Sequence, residues 1–89
     1  MENHTTIPEI TIFSTVSCSF CKLLMKWLDK QNIPYTKRMT DQDEAAFNEF
    51  MALSDGTLGV PFSVISFESG EQVKITGFDK SKFKKVLGL

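Results

Sequence analysis

The chain has 89 residues, 42% of them hydrophobic and 24% charged, a size that buries one core and a composition that excludes disordered and fibrous classes. A formal net charge of -1 offers no cationic excess for nucleic acid or an anionic membrane, and no apolar run reaches membrane-helix length. These numbers lead us to expect a single domain over residues 1–89 with a flexible N-terminus at 1–8, and neither a nucleic-acid nor a membrane partner.

Glu9-Ile10-Thr11-Ile12-Phe13-Ser14 gathers β-branched and aromatic residues in a short run that stops at small polar ones, which predicts a buried strand. Phe20, Leu23, Leu24, Trp27 and Leu28 then recur at i, i+3, i+4, i+7 and i+8, the spacing of an amphipathic helix from Ser17 or Cys18 to Gln31. Asn32 suits its C-terminal cap, and Ile33-Pro34 ends it. Ile33 to Arg38 reads as a second strand, placed at a sheet edge by Pro34. Thr40 with Asp41 and Asp43 is an N-terminal capping signal for a helix from Asp41 to about Leu53, with Ala46, Phe47, Phe50 and Met51 as its buried stripe. The Ser54-Asp55-Gly56 cluster closes it.

Phe62 to Phe67 and Gln72 to Thr76, joined by Glu68-Ser69-Gly70-Glu71, predict an antiparallel hairpin. Asp79 opens a last helix with Phe83, Val86 and Leu87 on its inner side. The order βαβαββα packs most simply as an α/β fold, a four-stranded mixed sheet flanked by three helices on its two faces. Its first two strands are parallel through a right-handed crossover.

Cys18 and Cys21, the only two cysteines, stand where the first strand hands over to the first helix. The start of the chain shows no basic segment followed by an apolar one, so a cytoplasmic location is expected, where a close cysteine pair is catalytic or metal-binding more often than structural. A zinc site asks for four ligands, and the chain supplies one such pair and one histidine, His4, in a polar terminus. A thiol becomes a good nucleophile as thiolate, which the unpaired N–H groups and positive dipole end of a helix N-terminus stabilise. Cys18 occupies that position. Cys21, one turn on along the same face, lies close enough to form a disulfide with it. Cys18 is therefore the candidate attacking thiol and Cys21 the more buried, resolving one, with Phe20 an apolar edge for an incoming disulfide.

Two further clusters carry chemistry. In Gly59-Val60-Pro61-Phe62 the proline either punctuates the start of a strand or forms a cis Val60-Pro61 bond that presents the Val60 backbone to an extended substrate. In Thr76-Gly77-Phe78-Asp79 the glycine permits a tight turn, and Asp79 serves as helix cap or as partner for a substrate ammonium. Lys80, Lys82, Lys84 and Lys85 read as a solvated helix face.

Taken together, "CSFC" after the first strand, "GVPF" opening the third and "TGFD" before the last helix resemble a glutaredoxin, and more broadly the thioredoxin-fold oxidoreductases, over roughly residues 9–88. The resemblance implies a thiol-disulfide oxidoreductase that reduces protein disulfides or glutathione mixed disulfides. In it Cys18 forms the mixed disulfide, Cys21 resolves it, Pro61 is cis, and Phe20, Val60, Gly77, Phe78 and Asp79 line the thiol-binding groove.

This chain departs from the family pattern at four places. Ser19-Phe20 replaces the usual Pro-Tyr, and Thr15, Val16 and Ser17 carry no lysine before the first cysteine. Gly59 stands in Thr-Val-Pro, and Thr76-Gly77 replaces Gly-Gly. Two variants of the family accommodate these departures. One is the hydrogen donor of ribonucleotide reductase, itself reduced by thioredoxin reductase, which shares a Gly-Phe like Gly77-Phe78. The other is a dimeric carrier of an iron–sulfur cluster held through the first cysteine and glutathione. The main expectation is a monomer with no permanently bound cofactor and glutathione as co-substrate. Its partners would be disulfide-containing proteins, with glutathione or thioredoxin reductase supplying electrons.

Overall fold

The β-branched run of residues 9–14 forms β1 (Glu9–Ser14), from which the chain continues through α1 (Ser19–Lys30), β2 (Thr36–Met39) and α2 (Glu44–Leu53). The hairpin strands β3 (Phe62–Ser66) and β4 (Gln72–Thr76) follow, then α3 (Lys80–Leu87). This computed structural model describes residues 8–57 and 59–89, so the expectations for the first seven residues, His4 included, lie outside the described residues. The sheet runs β2-β1-β3-β4, with β1 and β2 parallel and the other pairs antiparallel, in the expected βαβαββα order.

Alternation along the strands divides the interior in two. Ile10, Ile12, Ile65 and Ile75 point to the face that receives Leu24 and Leu28 of α1 and Phe83 of α3. Phe13, Phe62 and Val64 point to the opposite face and meet Phe50 of α2. Three phenyl rings close that second cluster, with centroids 5.6 Å apart for Phe13–Phe50, 6.2 Å for Phe13–Phe62 and 5.6 Å for Phe50–Phe62.

Asn32, in the left-handed region at φ 58°, ends α1. Its N–H donates to Asp29 O, and the Ile33 N–H donates to Leu28 O at 3.0 Å, the paired bonds of a Schellman cap, with Ile33 packed on the cluster that contains Leu28. That use of Ile33, together with a proline that has no N–H to give, delays β2 to Thr36, three residues later than the sequence suggests. The strand does lie at the sheet edge. Tyr35, half-buried in the lead-in, has its hydroxyl pushed above its ordinary 10.0 by burial first and by the Asp29 carboxylate second, so it stays protonated at neutral pH.

The second helix starts later than expected. Asp43 is its N-cap, accepting from the N–H groups of Ala45 at 3.0 Å and Ala46 at 3.4 Å. Thr40 instead extends the β1–β2 pairing, its N–H and hydroxyl both donating to Ser14 O. Of the expected stripe Ala46 and Phe50 are buried, Met51 is half-buried and Phe47 is exposed. Among the described residues no helix is long and apolar enough to cross a membrane.

Candidate active site

The pairings Phe13–Phe62, Ser14–Met39 and Phe62–Thr76 bring the C-terminal ends of β1, β2 and β4 and the start of β3 to one end of the sheet. The connections that leave this end are residues 15–18, 40–43, 59–61 and 77–79, and these hold Cys18, Val60, Pro61, Gly77, Phe78 and Asp79, while Phe20 and Cys21 stand in the first turn of α1.

Cys18 is the N-cap of α1, with extended backbone at φ -81° and ψ 104°. Its sulfur takes the place a serine or aspartate oxygen usually occupies, accepting the Cys21 N–H at 3.1 Å. Its own N–H donates to Thr15 O at 3.3 Å, which folds residues 15–18 into a turn. Cys21 lies on the inner face of the first turn and is fully buried beside the core, while Cys18 is half-buried. The two are joined as a disulfide with Cα atoms 5.2 Å apart. One sulfur thus meets the helix's unpaired N–H groups near the surface, and the other is sealed behind it.

The Val60-Pro61 bond is cis. Pro61 is buried, and its carbonyl accepts the Gly77 N–H at 2.7 Å, which ties the start of β3 to the turn after β4. Val60 is half-buried against the phenyl cluster, and its backbone N–H and C=O make no backbone hydrogen bond among the described residues. Gly77 sits at φ 83°, a conformation that a side chain at this position would strain. Phe78 packs on Trp27 at 6.3 Å between centroids, and Lys80 Nζ lies 5.9 Å from its ring. Asp79 is the N-cap of α3, accepting the Lys82 N–H at 3.1 Å. Asp79→Ala lowers unfolding free energy by about 1 kcal/mol, whereas Asp79→Asn, which keeps the capping oxygen, changes it by a few tenths at most, as urea denaturation measures.

Phe20 is 64% exposed on the solvent side of α1, and Leu23 is 49% exposed. Both belong to the apolar stripe read from the sequence, whereas the buried row of this helix is Cys21, Leu24 and Leu28. The sequence places Asp41 at the start of the second helix, an acid at its positive dipole end. Its carboxylate instead accepts the Val16 N–H at 3.0 Å and so holds the loop that leads into Cys18. No local pattern could have revealed that contact, which spans 25 positions. Among the described residues no three His, Cys, Asp or Glu side chains gather as a metal site.

A four-stranded mixed sheet between helices, with a dithiol at its first strand-to-helix junction and a cis-proline at the same end, is the thioredoxin-like arrangement of a thiol–disulfide oxidoreductase. The family model for glutaredoxin matches residues 10–65, more than half of the chain, and the chain belongs to the glutaredoxin family, which acts on disulfide substrates and glutathione.

Solved structures agree with that fold. The thioredoxin-like protein BC3987 is 27% identical, with 88% of this chain and 99% of that chain covered and a TM-score of 0.72. Methanoredoxin of Methanosarcina acetivorans is 20% identical, with 93% and 87% covered and a TM-score of 0.76. A buckwheat glutaredoxin, solved in complex with glutathione, is 24% identical, with 91% and 71% covered and a TM-score of 0.61. No curated protein sequence matches the chain.

Proposed function

We propose that the protein reduces protein disulfides and glutathione mixed disulfides through a Cys18/Cys21 dithiol. The observation that carries this reading is the asymmetry of the pair: the Cys18 sulfur sits at the N-cap and accepts the Cys21 N–H, and the Cys21 sulfur is buried behind it. In the reduced protein the same N–H and the helix dipole stabilise a Cys18 thiolate.

That thiolate attacks one sulfur of a substrate disulfide, forming a Cys18 mixed disulfide and expelling the other sulfur as thiolate. The Cys21 thiolate then attacks Cys18 Sγ, releasing the second substrate thiolate and leaving the Cys18–Cys21 disulfide. Two electrons have passed to the substrate, and two from an external thiol or dithiol restore the enzyme.

Glutathione as co-substrate is supported by the Asp79 carboxylate at the α3 N-terminus, where it can receive an ammonium, and by the glutathione complex of the buckwheat relative. Val60, with its backbone groups free of backbone partners, and Phe20, Pro61, Gly77 and Phe78 complete the proposed groove. Two measurements test the scheme. Cys21→Ser incubated with oxidised glutathione accumulates a mixed disulfide at Cys18, read by intact mass, and Asp79→Asn raises KM for that substrate several-fold without loss of stability. Failure of the mixed disulfide to form would remove the reading.

The electron source is decided by supplying oxidised protein with glutathione and its reductase or with thioredoxin reductase. Regeneration by the second alone would favour the ribonucleotide-reductase donor role that Gly77-Phe78 suggests.

A further inference from the structure

Two apolar residues of α1 that the core does not fully cover lie side by side. Leu23 and Trp27 stand at i and i+4 and, with Phe78 from the turn after β4, floor a cavity of about 280 Å³ between α1 and the start of α3. Its remaining lining is Lys26, Lys30 and Lys80. Lys22, Lys26 and Lys30 fall at successive i+4 positions, so one edge of α1 is a lysine row, and Lys80 stands across the cavity beside the Phe78 ring. None of these lysines pairs with a carboxylate among the described residues, where the ion pair is Arg38–Glu49 at 3.1 Å, on the α2 side of the sheet. A chain of net charge -1 thus concentrates cations around one aromatic floor.

The cavity is also placed with respect to the dithiol. Phe78 follows Gly77, which is bonded to Pro61, so one wall of the cavity adjoins the substrate end of the sheet. An α-helix advances about 1.5 Å per residue, which puts Lys26 about 12 Å and Lys30 about 18 Å along α1 from Cys18. An extended peptide advances about 3.3 Å per residue, so the cavity receives side chains about four to five residues from the cysteine under attack.

We propose that this groove docks acidic protein segments. The occupant is an extended stretch with a large apolar side chain about four residues from its disulfide-bonded cysteine, flanked by aspartate or glutamate. The apolar side chain lies on Trp27 and Phe78, and the carboxylates meet Lys26, Lys30 and Lys80. The inference deepens the proposed dithiol function by naming a class of protein substrate, and it rests on that reading. Charge complementarity acts chiefly on encounter and KM, and it weakens as salt rises.

The test uses two synthetic peptides, each with one cysteine in a mixed disulfide with thionitrobenzoate. One carries Asp-Leu-Glu three to five residues from the cysteine on both sides, and the other carries Asn-Leu-Gln at the same places. In reduced protein, attack of the Cys18 thiolate on the peptide sulfur joins peptide to Cys18 and expels thionitrobenzoate, whose absorbance gives the rate. With reduced wild-type protein in excess, in a single turnover, the second-order rate constant is about tenfold higher for the acidic peptide at low ionic strength, and the advantage shrinks toward about 0.15 M salt.

Lys26→Glu/Lys30→Glu removes the advantage and leaves the reaction with a glutathione mixed disulfide unchanged, since that tripeptide is too short to reach the row. Both positions are exposed, and the circular dichroism of the variant is expected to match that of the wild-type protein. Equal second-order rate constants for the two peptides, with release still dependent on Cys18, would overturn the docking inference alone. Loss of Cys18 dependence with every probe, the glutathione mixed disulfide included, would overturn the dithiol reading beneath it.

Discussion

Cys18→Ser lowers disulfide reduction by at least about a thousandfold, because the hydroxyl that replaces the thiol is neither ionised near neutral pH nor able to form a mixed disulfide. The substitution suits the local backbone. Serine is a favoured N-cap, and its oxygen can accept the Cys21 N–H that the sulfur accepts now. The variant therefore folds, and its helical circular dichroism matches that of the reduced wild-type protein while turnover of a small disulfide with a chromophoric product disappears. Full retention of activity would place the attacking thiol at Cys21, which the burial of that sulfur opposes. The same burial predicts the order of alkylation: in reduced native protein a small alkylating reagent labels Cys18 well before Cys21.

The second large effect is structural. Phe13→Ala removes a completely buried ring that touches the rings of both Phe50 and Phe62, at a cost of about 3–5 kcal/mol. Small domains of this kind have total stabilities of about 5–15 kcal/mol, so a shift of that size removes a large fraction of the total and lowers the urea midpoint in proportion. The reason lies in the division of the interior: among the described residues this cluster is the smaller of two, bordered by half-buried Leu53 and Val60, with little neighbouring apolar mass to collapse into the hole. Phe47→Ala is the control. That side chain is 39% exposed, and its loss changes stability by about 0.5 kcal/mol or less. A comparable loss at both positions would mean that burial in α2 is not apportioned as described.

Order of elements, edge placement of β2, the caps at Asn32 and Asp79 and the position of the dithiol were all legible in the sequence, because each depends on a few consecutive residues whose local chemistry agrees with the fold. What was not legible depends on the third dimension. Five apolar residues in nine positions make a stripe wider than one helix face, and periodicity alone does not say which flank is covered. The sheet takes Leu24 and Leu28, with Cys21 supplying the third contact, and leaves Phe20 and Leu23 outside. The lysine row at 22, 26 and 30 was present in the sequence at helical spacing, yet only the opposed Phe78 and Lys80 turn it into one wall of a groove. Thr40 and Asp41 look like a helix start by composition. Their side chains instead satisfy backbone groups at the last residue of β1 and just beyond it, a choice made by strand adjacency, and Asp43 inherits the cap.

The contact between Asp41 and Val16 bears on why three uncharged residues can stand before the attacking cysteine. The loop is held through a main-chain N–H, which every residue except proline supplies, so its path is written at position 41 and not in the side chains it displays. Val16 and Ser17 face solvent. Their identities are thereby released from any duty to shape the loop, and selection on them can be spent wholly on which disulfides are admitted to Cys18.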